Sequence, residues 1–357
     1  MRILQIIDSL DAGGAERMSV NYANALAEKI EFSGLVATRK EGLLLDQIHS
    51  SVSYFFLKKK RKIDVNAILR LRSYVVKNKI THIHSHSTSF FLAFLLKLSL
   101  PSLKIIRHDH YGNNKFLEER PHAILKLTSF LFDGVIAVNR NLKDWSERIL
   151  NSKNVIYLPN FACNSFEIKA TTILKGSEGK RIICLANLRP QKNHFLLLEV
   201  AKELKRSHSE WSFHLVGKDF EDGYSKEIKE IVKNYNLENN VFLYGSREDI
   251  SNILEQAEIA ILTSESEGLP VALLEYGQSK KATVVTNVGE IPFFMEHLVN
   301  GMIVSNFETK QYHALLVECI ESKELRLFLG NKLHETITEN FSKDMVIKKY
   351  LNWLVTT

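Results

Sequence analysis

The sequence predicts an α/β protein made of two doubly wound, Rossmann-like domains with a cleft between them. Short β-branched runs alternate with helical periodicity along most of the chain, and this periodicity lapses only once, near the middle. A length of 357 residues is enough for two domains that each have a core. A hydrophobic content of 45% and a charged content of 25% are typical of a soluble globular protein.

The first half of the chain alternates between strand and helix patterns. A predicted strand at 3–7 leads through Gly13 and Gly14 into a helix, and similar pairs continue as far as Pro159. The further predicted strands are 35–38, 81–84, 103–106, 134–138 and 155–158, and the further predicted helices are 64–78, 88–98, 120–131 and 141–149.

Residues 161–180 lose the periodicity and form the predicted linker. The second series has predicted strands at 181–188, 212–216, 240–244, 258–262 and 282–286, and predicted helices at 194–206, 224–235, 248–256 and 270–279. Helical periodicity returns after Ser342, a good N-cap, with Asp344 in the first turn. We therefore expect domains at 1–165 and 166–340 and a final helix at 341–357.

The sequence predicts a cytoplasmic protein. The first ten residues have no secretion-signal pattern, and the apolar segment 89–100 is interrupted by Lys97 and too short to span a bilayer. Cys163, Cys184 and Cys319 are far apart in the sequence and form no metal-binding pair. This usage of cysteine fits a reducing compartment.

A run of five cations, Lys58, Lys59, Lys60, Arg61 and Lys62, follows the apolar residues 54–57. One interpretation is a solvated loop. The other is contact with anionic lipid head groups, each cation near a membrane contributing roughly 1 kcal/mol. Nucleic acid is disfavoured, because no recognition-helix pattern accompanies the run.

The strongest chemical pattern is the pair Glu267 and Glu275 around Gly268 and Pro270. Proline suits the first position of a helix, and the free amides there can face an anion. A continuous helix would separate the two carboxylates by about 12 Å. Separate contacts to a ligand are therefore favoured over a close pair of glycosidase acids.

Arg189 and Lys192 directly follow a predicted strand of the second domain. Ligands of doubly wound sheets bind at the carboxyl ends of strands, where a guanidinium and an ammonium can neutralise a diphosphate. Gly245 closes another strand of this domain, and its backbone is a candidate for contact with a nucleobase. In the first domain, Gly13 and Gly14 allow backbone amides to approach a phosphate.

Five histidines lie near one sheet edge of the first domain. His82, His84 and His86 alternate along one strand and share a face, and His108 and His110 do so on another. A zinc site is one interpretation. Asp109 would point away from its two neighbours, however, so polar groups that line an active site are favoured, with His110 best placed.

Taken together, these motifs resemble glycosyltransferase family 4, the retaining nucleotide-sugar glycosyltransferases of GT-B fold, over nearly the whole chain. The motifs are, in chain order, Gly13-Gly14-Ala15-Glu16, His84-Ser85-His86-Ser87, Leu158-Pro159-Asn160, Arg189-Pro190-Gln191-Lys192-Asn193, Glu267 with Glu275, Val288-Gly289-Glu290-Ile291-Pro292 and Asn300-Gly301. The chain is similar to enzymes of bacterial capsular and surface polysaccharide synthesis. The resemblance also implies that the final helix packs back on the first domain.

The resemblance implies a role for each motif. Arg189 and Lys192 would neutralise the leaving diphosphate of a UDP- or GDP-sugar in place of a metal, and Glu275 would bind the ribose. Glu267 would contact the donor sugar, and His110 would lie at the reacting centre, although His108 is two residues away and the choice stays open. The amides of Gly14 and of Leu269, after Gly268, would complete the phosphate site.

The resemblance also implies that no cofactor is needed beyond the donor substrate. The acceptor would be a saccharide or a lipid-linked saccharide, by analogy alone. Tyr276-Gly277-Gln278 depart from the small residues usual after the second glutamate, and would reshape the nucleotide pocket. The alternatives are a sugar-nucleotide epimerase or hydrolase, or a non-catalytic protein that binds metal or membrane.

Overall fold

Both halves of the chain form a sheet of parallel strands covered by helices. The computed structural model describes residues 1–11, 13–112, 117–161 and 170–356. The chain divides into one unit of Met1–Cys163 with Lys343–Thr357 and another of Asn164–Ser342. The predicted fold class is confirmed. The predicted boundary at 165 and residues 162–169 of the predicted linker lie outside the described residues.

The sheet of the first unit has seven strands within the described ranges, in the order β3-β2-β1-β4-β5-β6-β7. They are β1 (Arg2–Ser9), β2 (Phe32–Lys40), β3 (Ser53–Phe56), β4 (His82–His86), β5 (Lys104–Asp109), β6 (Gly134–Ala137) and β7 (Val155–Tyr157). The helices are α1 (Gly14–Ala27), α2 (Val65–Lys77), α3 (Phe90–Ser99), α4 (Ala123–Thr128) and α5 (Arg140–Ile149). The strand order reverses between β1 and β4, which makes their carboxyl ends the switch point where ligands bind.

The central strands of this sheet are buried on both faces, as parallel strands usually are. On β1, Leu4 and Ile6 pack into the core beneath α2 and α3, while Ile7 packs into the core beneath α1. β4 alternates in the same way, because Ile83 joins the first core and His84 contacts Tyr22 of α1. The histidines of β4 therefore lie between the sheet and α1.

The sheet of the second unit has six strands, again counting described residues alone, in the order β10-β9-β8-β11-β12-β13. They are β8 (Arg181–Leu185), β9 (Ser212–Val216), β10 (Val241–Gly245), β11 (Ile259–Leu262), β12 (Ala282–Thr286) and β13 (Met302–Val304). The helices are α6 (His194–Ser207), α7 (Gly223–Asn234), α8 (Ile250–Glu255), α9 (Val271–Gln278), α10 (Thr309–Glu321) and α11 (Lys323–Asn340). The strand order reverses between β8 and β11, where the switch point of this sheet lies.

The last helix, α12 (Lys343–Thr356), belongs to the first unit. The hydroxyl of Tyr350 is 3.0 Å from Nδ1 of His84, and the indole of Trp353 donates to Asn154 at 2.8 Å. Gly134 lies so close to Trp353 that a Cβ there would collide with the indole ring. Tight packing thus joins α12 to the elements around β4 and β6.

Two parts of the fold were missed from sequence. Residues 54–57 are the end of β3 and the residue after it, and Leu57 is fully buried. The strand β3 is therefore absent from the sequence prediction. β13, α10 and α11 lie beyond the last predicted strand at 282–286. α11 buries few side chains and so has a weak apolar period.

Candidate active site

The side chains of Lys192 and Glu267 meet in the second unit. Lys192 ends a 3₁₀ turn, Pro190–Lys192, that follows β8, and Glu267 lies in the loop between β11 and α9. The ammonium nitrogen of Lys192 is 2.5 Å from Oε1 of Glu267. β8 and β11 are parallel neighbours, so the ion pair lies at the carboxyl edge of the sheet beside the switch point.

Two side-chain hydroxyl groups and a glycine hold the loop that carries Glu267. The hydroxyl of Ser264 donates to the same Oε1 at 2.7 Å, and the hydroxyl of Thr286 donates to the Ser264 carbonyl at 2.6 Å. Gly289 has a φ of 60°, and a Cβ there would collide with the carbonyl oxygens of Glu267 and Gly268. Glycine is therefore required at 289 for both its conformation and its space.

Helix α9 begins directly after Pro270. Pro270 is extended, with φ −68° and ψ 121°, and precedes the first helical residue, Val271. The prediction that Pro270 is the first residue of the helix is wrong by one position, because its ψ is not helical. Glu275 is half-buried in the second turn of α9, while Glu267 stays in the loop. The two glutamates thus occupy different elements, as expected.

Arg189 contacts a different surface from Lys192. Its guanidinium lies 3.4 Å from the ring centroid of Phe220, and one of its nitrogens is 3.8 Å from Asp222 at the start of α7. The side chain is 43% exposed, so the guanidinium can move. Arg189 and Lys192 therefore both follow β8, but their side chains contact different residues.

The remaining predicted contacts of the second unit use backbone groups. Gly268 and Leu269 are buried in the turn before α9. Gly245 ends β10 with a φ of 67°, and no atom lies within 4 Å of a Cβ built there. The predicted contact of Gly245 with a nucleobase and that of Gly268 and Leu269 with phosphate stay predictions.

Gly13 and Gly14 lie at the start of α1, at the carboxyl end of β1. The carboxylate of Glu16 folds back over Gly13, where a Cβ would collide with it. An anionic group therefore already lies at the amino end of this helix. A phosphate at Gly13 and Gly14 would require Glu16 to move, and this contact stays a prediction.

Four histidines form two hydrogen-bonded pairs between the sheet and α1. Nε2 of His84 is 3.0 Å from Nδ1 of His108, and Nδ1 of His86 is 2.9 Å from Nε2 of His110. His82 is remote from them at the amino end of β4, where Thr81 contacts it. The predicted shared face is thus observed, and the register that pairs His86 with His108 brings the two strands' imidazoles together.

The arrangement of these rings favours a hydrogen-bonded network over a metal centre. Nitrogens of His84, His86 and His108 lie within 4.8 Å of one another. The rings of His84 and His86 are stacked, with an interplanar angle of 21°. Because each lone pair lies in the plane of its ring, stacked rings do not direct their lone pairs at a common ion.

Burial keeps these imidazoles neutral. It lowers the pKa of His84, His86 and His108 well below the usual value, and the neighbouring imidazoles lower it further. Burial also lowers the pKa of His110 to about 3, against the opposing effect of Asp109. A neutral imidazole has one donor and one acceptor nitrogen.

Asp109 points away from the histidines, as expected. Arg120 donates two hydrogen bonds to its carboxylate, at 2.7 and 3.1 Å, and the buried Arg107 lies 3.1 Å from it. Burial alone would raise the pKa of Asp109, but the two guanidinium groups hold it below the usual value. This buried ion network fixes the end of β5, directly before His110.

Tyr276 has a role in the core that sequence reasoning missed. Its hydroxyl accepts a hydrogen bond from the backbone N–H of Leu185 at 2.7 Å and donates one to the carbonyl of Ile261 at 3.3 Å. Gly277 packs against Ile337 of α11 so closely that a Cβ would collide. Tyr276 and Gly277 therefore both face the interior of the second unit. Their positions in the sequence motif could not show this.

Ser264 and Thr286, which hold the loop of Glu267, were also missed, as was the buried Gln5, whose Oε1 is 2.8 Å from Nε2 of His86. A single polar side chain in a buried strand or loop has no periodic pattern. Gly289 was noticed only as part of a familiar segment, and its φ is visible only in the structure.

The sequence matches two known families. Residues 12–162 match Glycosyltransferase Family 4, and residues 166–335 match Glycosyl transferases group 1. With two parallel-sheet units, these matches define a glycosyltransferase of GT-B fold. The chain therefore carries a Glycosyltransferase Family 4 domain followed by a Glycosyl transferases group 1 domain, which confirms the predicted resemblance and enzyme class.

Characterised relatives share this class. The chain is 26% identical over 202 residues to "Poly(ribitol-phosphate) alpha-N-acetylglucosaminyltransferase" of Staphylococcus aureus, covering 56% of the chain and 39% of that relative's length. It is 22% identical to "Capsular polysaccharide biosynthesis glycosyltransferase CapH" of Staphylococcus aureus, over 95% of the chain and 94% of the relative. It is 23% identical to "UDP-Gal:alpha-D-GlcNAc-diphosphoundecaprenol alpha-1,3-galactosyltransferase" of Escherichia coli, over 89% and 87%.

A solved structure shows the same fold. Anabaena Alr3699/HepE, crystallised in complex with UDP and glucose, aligns with a TM-score of 0.79 and 17% identity over 100% of both chains. This similarity supports the GT-B fold alone.

Proposed function

We propose that this chain transfers a hexose or N-acetylhexosamine from a UDP- or GDP-sugar to a saccharide or lipid-linked saccharide, with retention of configuration. The ion pair of Lys192 and Glu267 at the carboxyl edge of the second sheet carries the proposal. A cation and a carboxylate at this edge supply one contact for a diphosphate and one for sugar hydroxyls.

The other residues take the roles that the family implies. Arg189 swings from Phe220 to the diphosphate, and Glu275 accepts hydrogen bonds from the ribose. The backbone of Gly245 contacts the base, and the amides of Gly14 and Leu269 contact phosphate. His110 contacts the transferred sugar, and its partial exposure favours it over the fully buried His108.

The transfer needs no metal in this proposal, because Arg189 and Lys192 stabilise the charge that develops on the leaving diphosphate. The acceptor hydroxyl attacks from the face that the diphosphate leaves, and a β-phosphate oxygen takes its proton. The names of the relatives favour UDP over GDP and a role in surface polysaccharide synthesis.

Calorimetric titration with UDP and GDP tests the donor site. Lys192→Ala and Arg189→Ala should each weaken binding roughly ten- to hundredfold, since each removes a charge-assisted contact. Lys180→Ala is the matched control, because Lys180 precedes the amino end of the same strand and pairs with Glu210. Unchanged affinity in both site variants would show that the donor binds elsewhere.

We also propose that the first unit contacts the cytoplasmic face of an anionic membrane, where a lipid-linked acceptor would lie. Lys58, Lys60, Arg61 and Lys62 are exposed, while Lys59 is half-buried, which lowers its pKa. α2, α3 and α4 contain five cations and no acidic residue. Within the described residues, every helix is too short or too polar to cross a bilayer.

An exposed apolar surface accompanies these charges. We call it the apolar band, and it consists of Ile63, Val65, Leu69, Val76, Leu98, Ile124, Leu127 and Phe130. On α2, Val65, Leu69 and Val76 share a face, while Ala67, Leu71 and Val75 fill the core on the opposite side. α3 packs against both α2 and α4, so the three helices are neighbours. An apolar surface with a cationic border fits the interface of an anionic bilayer.

Flotation with phosphatidylglycerol and phosphatidylcholine vesicles tests this surface. The wild type should float with the anionic vesicles only, and Leu69→Ser with Leu127→Ser should remove binding. Leu327→Ser with Phe328→Ser is the control, because these exposed residues belong to α11 of the other unit. Equal flotation of both double variants would rule out the apolar band as the contact.

A further inference from the structure

A hydrogen-bonded chain connects a buried amide of β1 to His110. Oε1 of Gln5 is 2.8 Å from Nε2 of His86, and Nδ1 of His86 is 2.9 Å from Nε2 of His110. Gln5 and His86 are fully buried, whereas His110 is partly exposed at the end of β5. The chain therefore runs from the interior to the carboxyl edge of the sheet.

In each neutral imidazole of this chain, the hydrogen bond at one nitrogen decides whether the other nitrogen donates or accepts. The carbonyl oxygen of Gln5 only accepts, so Nε2 of His86 carries its proton. Nδ1 of His86 is then an acceptor, and Nε2 of His110 must donate to it. The proton of His110 is thereby fixed on Nε2, and its Nδ1 keeps a lone pair.

We propose that Gln5, acting through His86, is a positioning residue that fixes His110 in the tautomer whose Nδ1 accepts a hydrogen bond from a substrate hydroxyl. Only the identity of the substrate, a sugar, rests on the proposed function. This tautomer makes the site selective for sugars that carry the hydroxyl, because a sugar that lacks it leaves the Nδ1 acceptor unpaired.

The surroundings of the chain keep it neutral and in place. Burial lowers the pKa of both histidines, and the rings of His86 and His110 are nearly parallel, with an interplanar angle of 19° that suits a hydrogen bond between ring edges. The charged groups that act on the pKa of His110 are Asp109 and Arg107, which pair with each other at 3.1 Å. A proton on either imidazole would disrupt the order of donors and acceptors.

A second chain provides a matched control. The hydroxyl of Tyr350 contacts Nδ1 of His84, whose Nε2 contacts His108. Tyr350 and Gln5 are both buried and each binds one histidine of the same cluster. Tyr350→Phe therefore removes a comparable hydrogen bond without touching the chain that ends at His110.

The test is ¹⁵N NMR of the whole protein with ring-labelled histidine, in which His110→Gln identifies the His110 signals. The wild type and Tyr350→Phe should show His110 protonated on Nε2, and Gln5→Met should shift its tautomer. A wild-type His110 protonated on Nδ1 would overturn the proposal, as would an unchanged tautomer in a folded Gln5→Met.

Kinetics separate this proposal from the proposed function. Gln5→Met should lower kcat roughly fivefold, as expected for one neutral hydrogen bond, while UDP affinity stays unchanged. Equal kcat in Gln5→Met and wild type would contradict the positioning role. A complete lack of transfer by the wild type would instead overturn the proposed function, since the tautomer is measured without substrate.

Discussion

Lys192 and Glu267 form a hydrogen-bonded ion pair of 2.5 Å across the carboxyl ends of two neighbouring parallel strands. Glu267 is only 5% exposed, and Ser264 donates a second hydrogen bond to the same oxygen. The pair thus connects the segment after β8 with the loop before α9, where the donor contacts are proposed.

Glu267→Gln should separate sugar contact from nucleotide binding. The amide keeps the shape of the side chain and loses its charge, so we expect UDP to bind with nearly wild-type affinity and transfer to fall at least a hundredfold. Calorimetry with UDP and a steady-state transfer assay measure the two quantities. A variant that transfers at the wild-type rate would remove Glu267 from the reacting centre.

Gly289→Ala should destabilise the second unit. A positive φ costs an alanine roughly 1 kcal/mol, and collision with the carbonyls of Glu267 and Gly268 adds to this cost. Gly179→Ala is the control, because Gly179 has a φ of 76° and open space around it. Thermal unfolding should show a clearly larger loss at 289, together with weaker UDP binding, and equal losses would contradict the proposed contact.

Asp109→Asn should destabilise the first unit by about 3 kcal/mol or more. The substitution leaves Arg107 buried without its anionic partner, and removal of one member of a buried ion pair is costly. Glu147→Gln, which breaks the exposed pair with Lys143, should change stability by less than about 0.5 kcal/mol. Urea unfolding of both variants checks the contrast, and a small loss in Asp109→Asn would count against the network.

Stability should fall as the pH drops below about 6.5. Burial lowers the pKa of His110 and His214 to about 3 and that of His82 and His194 to about 4. The unfolded chain takes up protons near pH 6.5 that the folded chain refuses, so each histidine lowers the free energy of unfolding by up to about 1.4 kcal/mol per pH unit.

Urea unfolding at pH 7 and pH 5 measures this dependence. His214→Gln should reduce the loss between the two pH values, although it also removes the contacts with Ser212 and Tyr244. A free energy of unfolding that is constant from pH 7 to pH 5 would contradict this, because it would show that the folded chain protonates these histidines as readily as the unfolded chain does.

The sequence predicted the two parallel sheets well, since strand and helix periods are local. The positions of Lys192 and Glu267 after their strands followed from that alternation. Their direct ion pair did not, because it depends on the register of β8 and β11. The strained φ of Gly289, the inward side chain of Tyr276 and the link from Gln5 to His110 likewise depend on tertiary packing.

The central claim is sugar transfer at the Lys192 and Glu267 pair. Its most direct test incubates the protein with UDP-glucose, UDP-galactose or UDP-N-acetylglucosamine, with and without saccharide and polyprenyl-diphosphate-linked acceptors, and follows UDP release and the product by NMR. We expect release that requires an acceptor, an α-linked product with retained configuration, and loss of both in Glu267→Gln. Release or epimerisation at the same rate without any acceptor, unaffected by Glu267→Gln, would contradict the account.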